Sequence, residues 1–121
     1  FAVFFPMDEF IIPIFKKSYE LYKTFYGYRN DVKRLDRYTI WQRTENFILD
    51  VMEGILLASQ LHKSEKLPIL EKVSLKLNFL RIFIRLNKDV GTIDNKKYIL
   101  LQEYIDDIGN QLGGWIKSTK N

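Results

Sequence analysis

The side chains in this chain best suited to chemistry are cations. Between residues 63 and 88, Lys63, Lys66, Lys72, Lys76, Arg81, Arg85 and Lys88 stand against only Glu65 and Glu71. Residues 1–62 carry equal numbers of both signs and the stretch beyond Lys88 is slightly acidic, so the formal charge of +4 comes from one segment. Ammonium and guanidinium groups gathered this way neutralise phosphates, with an affinity that falls as salt rises. A second basic group, Lys33, Arg34 and Arg37, is joined by Arg43 one or two turns on. Solubilising a helix is the simpler role for any one of these residues. For the 63–88 segment as a unit, an anionic partner is the better reading.

Catalysis has little to stand on. The single histidine, His62, falls near a helix end beside Lys63, where a solvated side chain interacting with the last carbonyls is expected. No Glu-x-x-His pair accompanies Glu53 or Glu103, so a carboxylate di-metal centre lacks its ligands, and Asp106 with Asp107 reads as a solvated face. There is no Gly-rich phosphate loop and no nucleophile elbow. The absence of cysteine excludes a disulfide scaffold, a thiolate zinc site and a thiol nucleophile. No catalytic residue, metal or cofactor is expected.

The elements that must position the cations are helices. The chain has 121 residues, 46% hydrophobic, with 3 prolines and 6 glycines, which suits one domain over 1–121 and leaves too few turn residues for an all-β fold. In the first segment Ile14, Ser18, Leu21, Phe25, Tyr28 and Val32 recur in alternating steps of four and three, the rhythm of a helical seam. The charged run Asn30 to Arg37 ends it. From about Tyr38 to His62, Ile40, Thr44, Phe47, Val51, Gly54, Ala58 and Leu61 keep the rhythm, beside a second stripe of Trp41, Ile48, Met52 and Ile55. Ser64 with Glu65 marks the next helix start, and Pro68 is placed in its first turn. After Lys88, Gly91 and Asp94 supply a stop and a new N-cap. The last segment carries Tyr98, Leu101, Ile105, Ile108, Leu112 and Trp115, with Gly109 and Gly113 one turn apart for close helix approach. Short connections between four long helices favour antiparallel neighbours, so the fold class is all-α, an up-down-up-down four-helix bundle. No apolar run reaches the length of a membrane span. Met7 is read as a start residue, with Phe1 to Pro6 as extra upstream sequence.

The third long segment has one apolar face too many. Val73, Leu77, Leu80 and Ile84 form one stripe, and Leu75, Phe79, Ile82 and Leu86 form another in nearly the opposite direction at 100° per residue. Lys72 and Lys76 lie on one flank between them, and Arg81, Arg85 and Lys88 on the other. A bundle helix normally buries one stripe. The second requires either an unusually buried helix with snorkelling arginines or self-association, and self-association is favoured.

The stretch Leu77-Asn78-Phe79-Leu80-Arg81-Ile82-Phe83-Ile84-Arg85-Leu86, and the ending Ile108-Gly109-Asn110-Gln111-Leu112-Gly113-Gly114-Trp115-Ile116 followed by Lys117 and Lys120, resemble a known family. It comprises the four-helix-bundle proteins that include the accessory variability determinant of diversity-generating retroelements and proteins encoded in intervening sequences of bacterial 23S ribosomal RNA genes. The resemblance runs from about Met7 to the end. It implies a homopentameric barrel of bundles and a non-enzymatic accessory protein. Such a protein binds the retroelement's reverse transcriptase together with RNA or cDNA, in the cytoplasm of a bacterium or archaeon or from a phage. The polymerase chemistry belongs to the partner. By the same resemblance Arg81 and Arg85 are the foremost contacts, with Lys88, Lys72, Lys76, Lys33, Arg34 and Arg37 behind them; the second apolar stripe, Leu75, Phe79, Ile82 and Leu86, is the expected oligomer interface on its own periodicity. Two other readings stay open: an intervening-sequence protein of obscure role, and a plain protein-interaction bundle without nucleic acid.

Overall fold

A computed structural model describes residues 11–120. The segment Phe1 to Pro6 and the start assigned to Met7 lie outside them. The described residues form α1 (Ile11–Gly27), a 3-10 turn (Arg29–Asp31), a one-turn α2 (Arg34–Arg37), α3 (Ile40–Ser59), α4 (Lys63–Val90) and α5 (Asn95–Lys120), with no strand among them. Each long helix buries one side. The buried set is Ile11, Ile14, Ser18, Leu21 and Phe25 in α1, and Leu101, Ile105, Ile108, Leu112 and Trp115 in α5, close to the anticipated seams. In α3 both anticipated stripes turn inward: Trp41, Ile48 and Ile55 of one join Thr44, Phe47, Val51 and Ala58 of the other.

The four long helices close into a ring of neighbours, α1 against α3 and α5, and α4 against α3 and α5. Cross-helix pairs set the register. Tyr22 donates to Glu45 at 3.2 Å while Phe25 stacks on Trp41 at 3.7 Å, so α1 and α3 run antiparallel. Lys76 meets Asp50 and Phe79 meets Phe47 across α4 and α3. Arg81 meets Asp106 across α4 and α5, and Lys17 meets Asp107 across α1 and α5. The topology is up-down-up-down, with α1 diagonally opposite α4.

The helix ends show where local periodicity stops being a guide. The first seam was extended to Tyr28 and Val32, but α1 ends at Gly27, where Tyr28 N–H turns back to the Phe25 carbonyl at 3.1 Å. Val32 is buried all the same, from an extended backbone. The charged run is a folded loop: Arg37 donates to the carbonyls of Val32 at 2.9 Å and Asn30 at 3.3 Å and closes it. α3 spans Ile40–Ser59, shorter at both ends than anticipated. α4 begins at Lys63, not Ser64, and its N-cap is the extended backbone of His62, whose carbonyl accepts from Glu65 and Lys66. Pro68 therefore lies in the second turn, at an exposed position, where it has no N–H to offer the Ser64 carbonyl.

The stop at Gly91 is as anticipated. Gly91 is left-handed with φ 85°, a conformation that only glycine adopts at no steric cost. Its N–H bonds the Lys88 carbonyl at 3.1 Å and Thr92 N–H bonds the Asn87 carbonyl at 3.0 Å, a Schellman closure. Asp94 caps α5 by accepting from Lys97 N–H at 2.8 Å.

Candidate interaction surface

The surface is built on α4, which at 1.5 Å per residue is about 42 Å long. Its inward side carries Leu70, Val73, Leu77, Leu80 and Ile84 and is completed by Asn87, fully buried one turn on. The Asn87 amide donates to Thr44 Oγ1 and to the Phe83 carbonyl, both at 2.8 Å, and its Oδ1 accepts from the Thr92 hydroxyl at 2.6 Å. This satisfied polar cluster ties α4 to α3 and to the loop that follows, and it fixes the rotation of α4 about its own axis, since any other setting would bury an unpaired amide. The reading from sequence missed Asn87, although its place three residues after Ile84 continues the buried stripe.

With the inward side filled, the opposed stripe faces out. Leu75 is 52% exposed, Phe79 40%, Ile82 63% and Leu86 40%. Val90, 56% exposed, extends the stripe by one turn and was missed because the helix was ended at Lys88. The alternative of an unusually buried α4 is therefore excluded. Each of these side chains forgoes roughly 1 kcal/mol that full burial would supply, and together they form a contiguous exposed apolar stripe.

The cations line this stripe on both sides, as anticipated, and most already have partners. On the α3 side Lys76 pairs with Asp50 at 3.3 Å and stands 5.6 Å over the Phe47 ring. Lys72 is exposed and makes no ion pair among the described residues. A trench of about 220 Å³ runs beside them, with Asp50 and Glu53 opposite Lys72 and Lys76. On the α5 side Arg81 pairs with Asp106, Arg85 Nε with Asp89 at 3.2 Å, and Lys88 sits 4.8 Å over the Tyr98 ring. Hydrogen bonds to the Asp89 carboxylate and the Tyr98 hydroxyl raise Arg85 above the ordinary guanidinium range, so it stays cationic. Exposed pairs of this kind are worth about 0–1 kcal/mol each. A phosphate can replace the carboxylate in them at little cost.

Gly109 belongs to this arrangement in a way its spacing did not reveal. A Cβ there would come within 2.8 Å of Arg81 Nη2, so the missing side chain makes room for the guanidinium. Gly113, which the sequence paired with it, has nothing within 4 Å of the same position and takes no part in close packing.

The second basic group divides: Arg43 stands 5.4 Å over the Phe47 ring that Lys76 also covers and lines a pocket with Lys76 and Asp50, beside the α4 flank, whereas Lys33, Arg34 and Arg37 belong to the loop between α1 and α3. The loop packs on α1 and α3 and is tied to α5 by Lys97 and Asp31 at 3.0 Å. It sits at the end of the bundle where α4 finishes, so Lys72 and Lys76 lie roughly 20–25 Å further along that helix. Lys33 and Arg34 are exposed there and make no ion pair among the described residues, whereas Arg37 is committed to the loop's carbonyls.

His62 is exposed and acts through its backbone, as the N-cap of the helix that follows and not at the carbonyls of the one before. Among the described residues no three histidine or carboxylate side chains come together to hold a metal ion, and no helix is long and apolar enough to cross a membrane. A family model described as bAvd-like matches residues 12–119, almost the whole chain. Comparison with curated proteins and with solved structures found no match.

Proposed function

Because this chain belongs to the bAvd-like family, the accessory variability determinant type, we propose that it serves a diversity-generating retroelement by binding its reverse transcriptase and template RNA or cDNA. It assembles copies of itself, as a homopentameric barrel, and displays the cations of α4 on the assembled surface. It contributes no bond-making step of its own, since the polymerase chemistry belongs to the partner. The observation that carries this reading is the outward stripe of Leu75, Phe79, Ile82 and Leu86, left exposed by a helix whose core side is already full and bordered on both flanks by cations.

The roles divide by position. The stripe holds copies together, and Arg81, Arg85, Lys72, Lys76 and Lys88 meet the polymerase or its nucleic acid. Arg81 and Arg85 lead, because a guanidinium presents paired donors to one phosphate. The internal carboxylates, Asp50, Asp89 and Asp106, compete for the same cations. Affinity for free nucleic acid is therefore moderate and the polymerase complex is the main target. Lys33 and Arg34 form a separate, minor contact at the end of the bundle.

The test is the double variant R81E/R85E, assayed for co-purification with the neighbouring reverse transcriptase and for RNA retention across a salt series. Both pairs are exposed, so helical content should be unchanged. Binding should weaken, and the slope of log affinity against log salt should shrink by roughly 0.7–0.9 for each phosphate no longer neutralised. Wild-type binding in both assays would remove the two arginines from the surface.

A further inference from the structure

The exposed face of α1 is built differently from that of α4. Ile12, Tyr19 and Tyr26 are 60%, 47% and 59% exposed, and Lys16 and Lys23 stand between them, exposed as well. Steps of three and four put all five on one ridge, in the order Ile12, Lys16, Tyr19, Lys23, Tyr26. Half-buried Phe15 and Tyr22 back the two tyrosine rings, at 6.2 Å and 6.1 Å between centroids, on the side where Tyr22 donates to Glu45 of α3. Lys23 Nζ stands 5.6 Å over the Tyr19 ring. Neither Lys16 nor Lys23 makes an ion pair among the described residues. The carboxylates that border the ridge are engaged, Glu20 with Lys17 at 3.9 Å and Glu45 with the Tyr22 hydroxyl. Glu53, exposed on α3, lines the trench that holds Lys72 and Lys76.

We infer that this ridge is a binding site for single-stranded nucleic acid, with bases stacked on Tyr19 and Tyr26 and phosphates on Lys16 and Lys23. This rests on the nucleic-acid reading above and adds a site that the α4 cations do not supply. The first argument is where the charges stand. On α4 they flank an unbroken apolar stripe, so a protein can cover Leu75 to Val90 and leave the cations at the rim. On α1 the ammonium groups interrupt the stripe at every step. A protein laid on the tyrosines would bury two charges, and the cores of protein interfaces are depleted of them. A single strand meets the same pattern without that cost, because its bases and phosphates alternate as the rings and ammonium groups do. The second argument is side-chain type. Tyrosine offers a flat face to a base and keeps its hydroxyl in water, whereas Leu75, Ile82, Leu86 and Val90 on α4 have no such face. Spacing is the third, since Tyr19 and Tyr26, like Lys16 and Lys23, lie about 10 Å apart along the helix. A duplex keeps its bases stacked inside, so it can use the lysines and not the rings. Beyond Tyr26 the chain runs into the loop of Lys33 and Arg34, whose exposed cations extend the track at the end of the bundle.

Fluorescence anisotropy with a labelled oligothymidylate and a duplex of matched length tests this. Tyr19→Leu with Tyr26→Leu keeps apolar bulk and both lysines and removes the stacking faces. Single-strand affinity should fall by at least about tenfold, the size expected when stacked aromatics are lost, while duplex affinity stays within about twofold. Tyr19→Phe with Tyr26→Phe keeps the rings and should retain single-strand binding. Lys16→Gln with Lys23→Gln should flatten the salt dependence of single-strand binding by roughly 0.7 for each phosphate no longer neutralised. Circular dichroism checks each fold, and should the double leucine variant not fold, Tyr26→Leu alone takes its place. Wild-type single-strand binding in the leucine variant, an equal loss on both probes, or a phenylalanine variant as weak as the leucine one overturns the inference. So does a leucine variant whose mass by light scattering departs from that of the wild type, because the ridge is then a protein contact. A wild-type protein that binds neither probe would instead defeat the nucleic-acid reading itself, and this inference with it.

Discussion

Replacing Gly54 by alanine sets two effects of opposite sign against each other. In an exposed helix interior, alanine in place of glycine stabilises by about 1 kcal/mol. Gly54 lies in α3 against α4, and a Cβ built on it would overlap the Cγ2 methyl of Val73. Val73 is 3% exposed and β-branched, so within a helix it has few rotamers into which it can retreat. Overpacking a filled core costs about 1–3 kcal/mol, which outweighs the helix gain and leaves a net loss of about 1 kcal/mol. Gly113→Ala is the internal control, because the same added methyl meets nothing within 4 Å and only the gain of about 1 kcal/mol remains. The two glycine-to-alanine variants should therefore melt on opposite sides of the wild type, separated by roughly 8 °C at about 4 °C per kcal/mol. Thermal unfolding by circular dichroism reads this, at one protein concentration because self-association would couple to stability. Adding Val73→Ala to Gly54→Ala should recover most of the clash, making the double variant more stable than the sum of its parts. A melting temperature for Gly54→Ala at or above that of Gly113→Ala, or strict additivity with Val73→Ala, would refute the claim that Gly54 sets the α3–α4 distance and so the seat of the interaction helix.

Asn87→Ala should cost about 2–4 kcal/mol in chemical denaturation, because three hydrogen bonds, two of them buried, and a packed side chain go with it. Asn78→Ala, exposed on the same helix, should stay within about 0.5 kcal/mol of wild type. Alkaline pH provides a separate check. Burial and then the Glu45 carboxylate raise the Tyr22 phenol above its ordinary value of 10.0, and burial raises Tyr28 against the opposing pull of Lys97. A folded-state value above the unfolded one means that the stability these two phenols add is complete below pH 10 and lost as pH rises through their folded values. Phenolate absorbance should show two late-titrating tyrosines, and Glu45→Gln should bring only Tyr22 earlier. An unchanged titration in that variant would rule out the carboxylate's influence.

Much of the fold was legible because helical periodicity is local. Steps of three and four put Ile14, Leu21 and Phe25, or Leu101, Ile105 and Ile108, on one face, whatever that face packs against. Gly91 and Asp94 were readable for the same reason: a left-handed stop and an N-cap are settled within a turn of chain. The less legible parts depend on what lies opposite. Val32 is buried from extended backbone, so no helical period marks it. Gly109 and Gly113 are equivalent in spacing, yet only Gly109 faces a guanidinium. Arg37 reads as one more surface cation until the loop carbonyls it holds are in place.

The sequence by itself determined that α4 has two opposed apolar stripes and a cation on every flank, because composition and a 3.6-residue period are enough to say so. Only the tertiary structure decided which stripe is core and which is surface. Nothing in α4 alone distinguishes Leu77 from Leu75. The choice comes from Asn87 meeting Thr44 and from Gly54 admitting Val73, contacts with a helix some 20–40 residues earlier that hold α4 at one rotation about its axis. The same register brings Asp50 and Asp106 to Lys76 and Arg81. A count of charges along the chain could not foresee that, because pairing depends on distance in space.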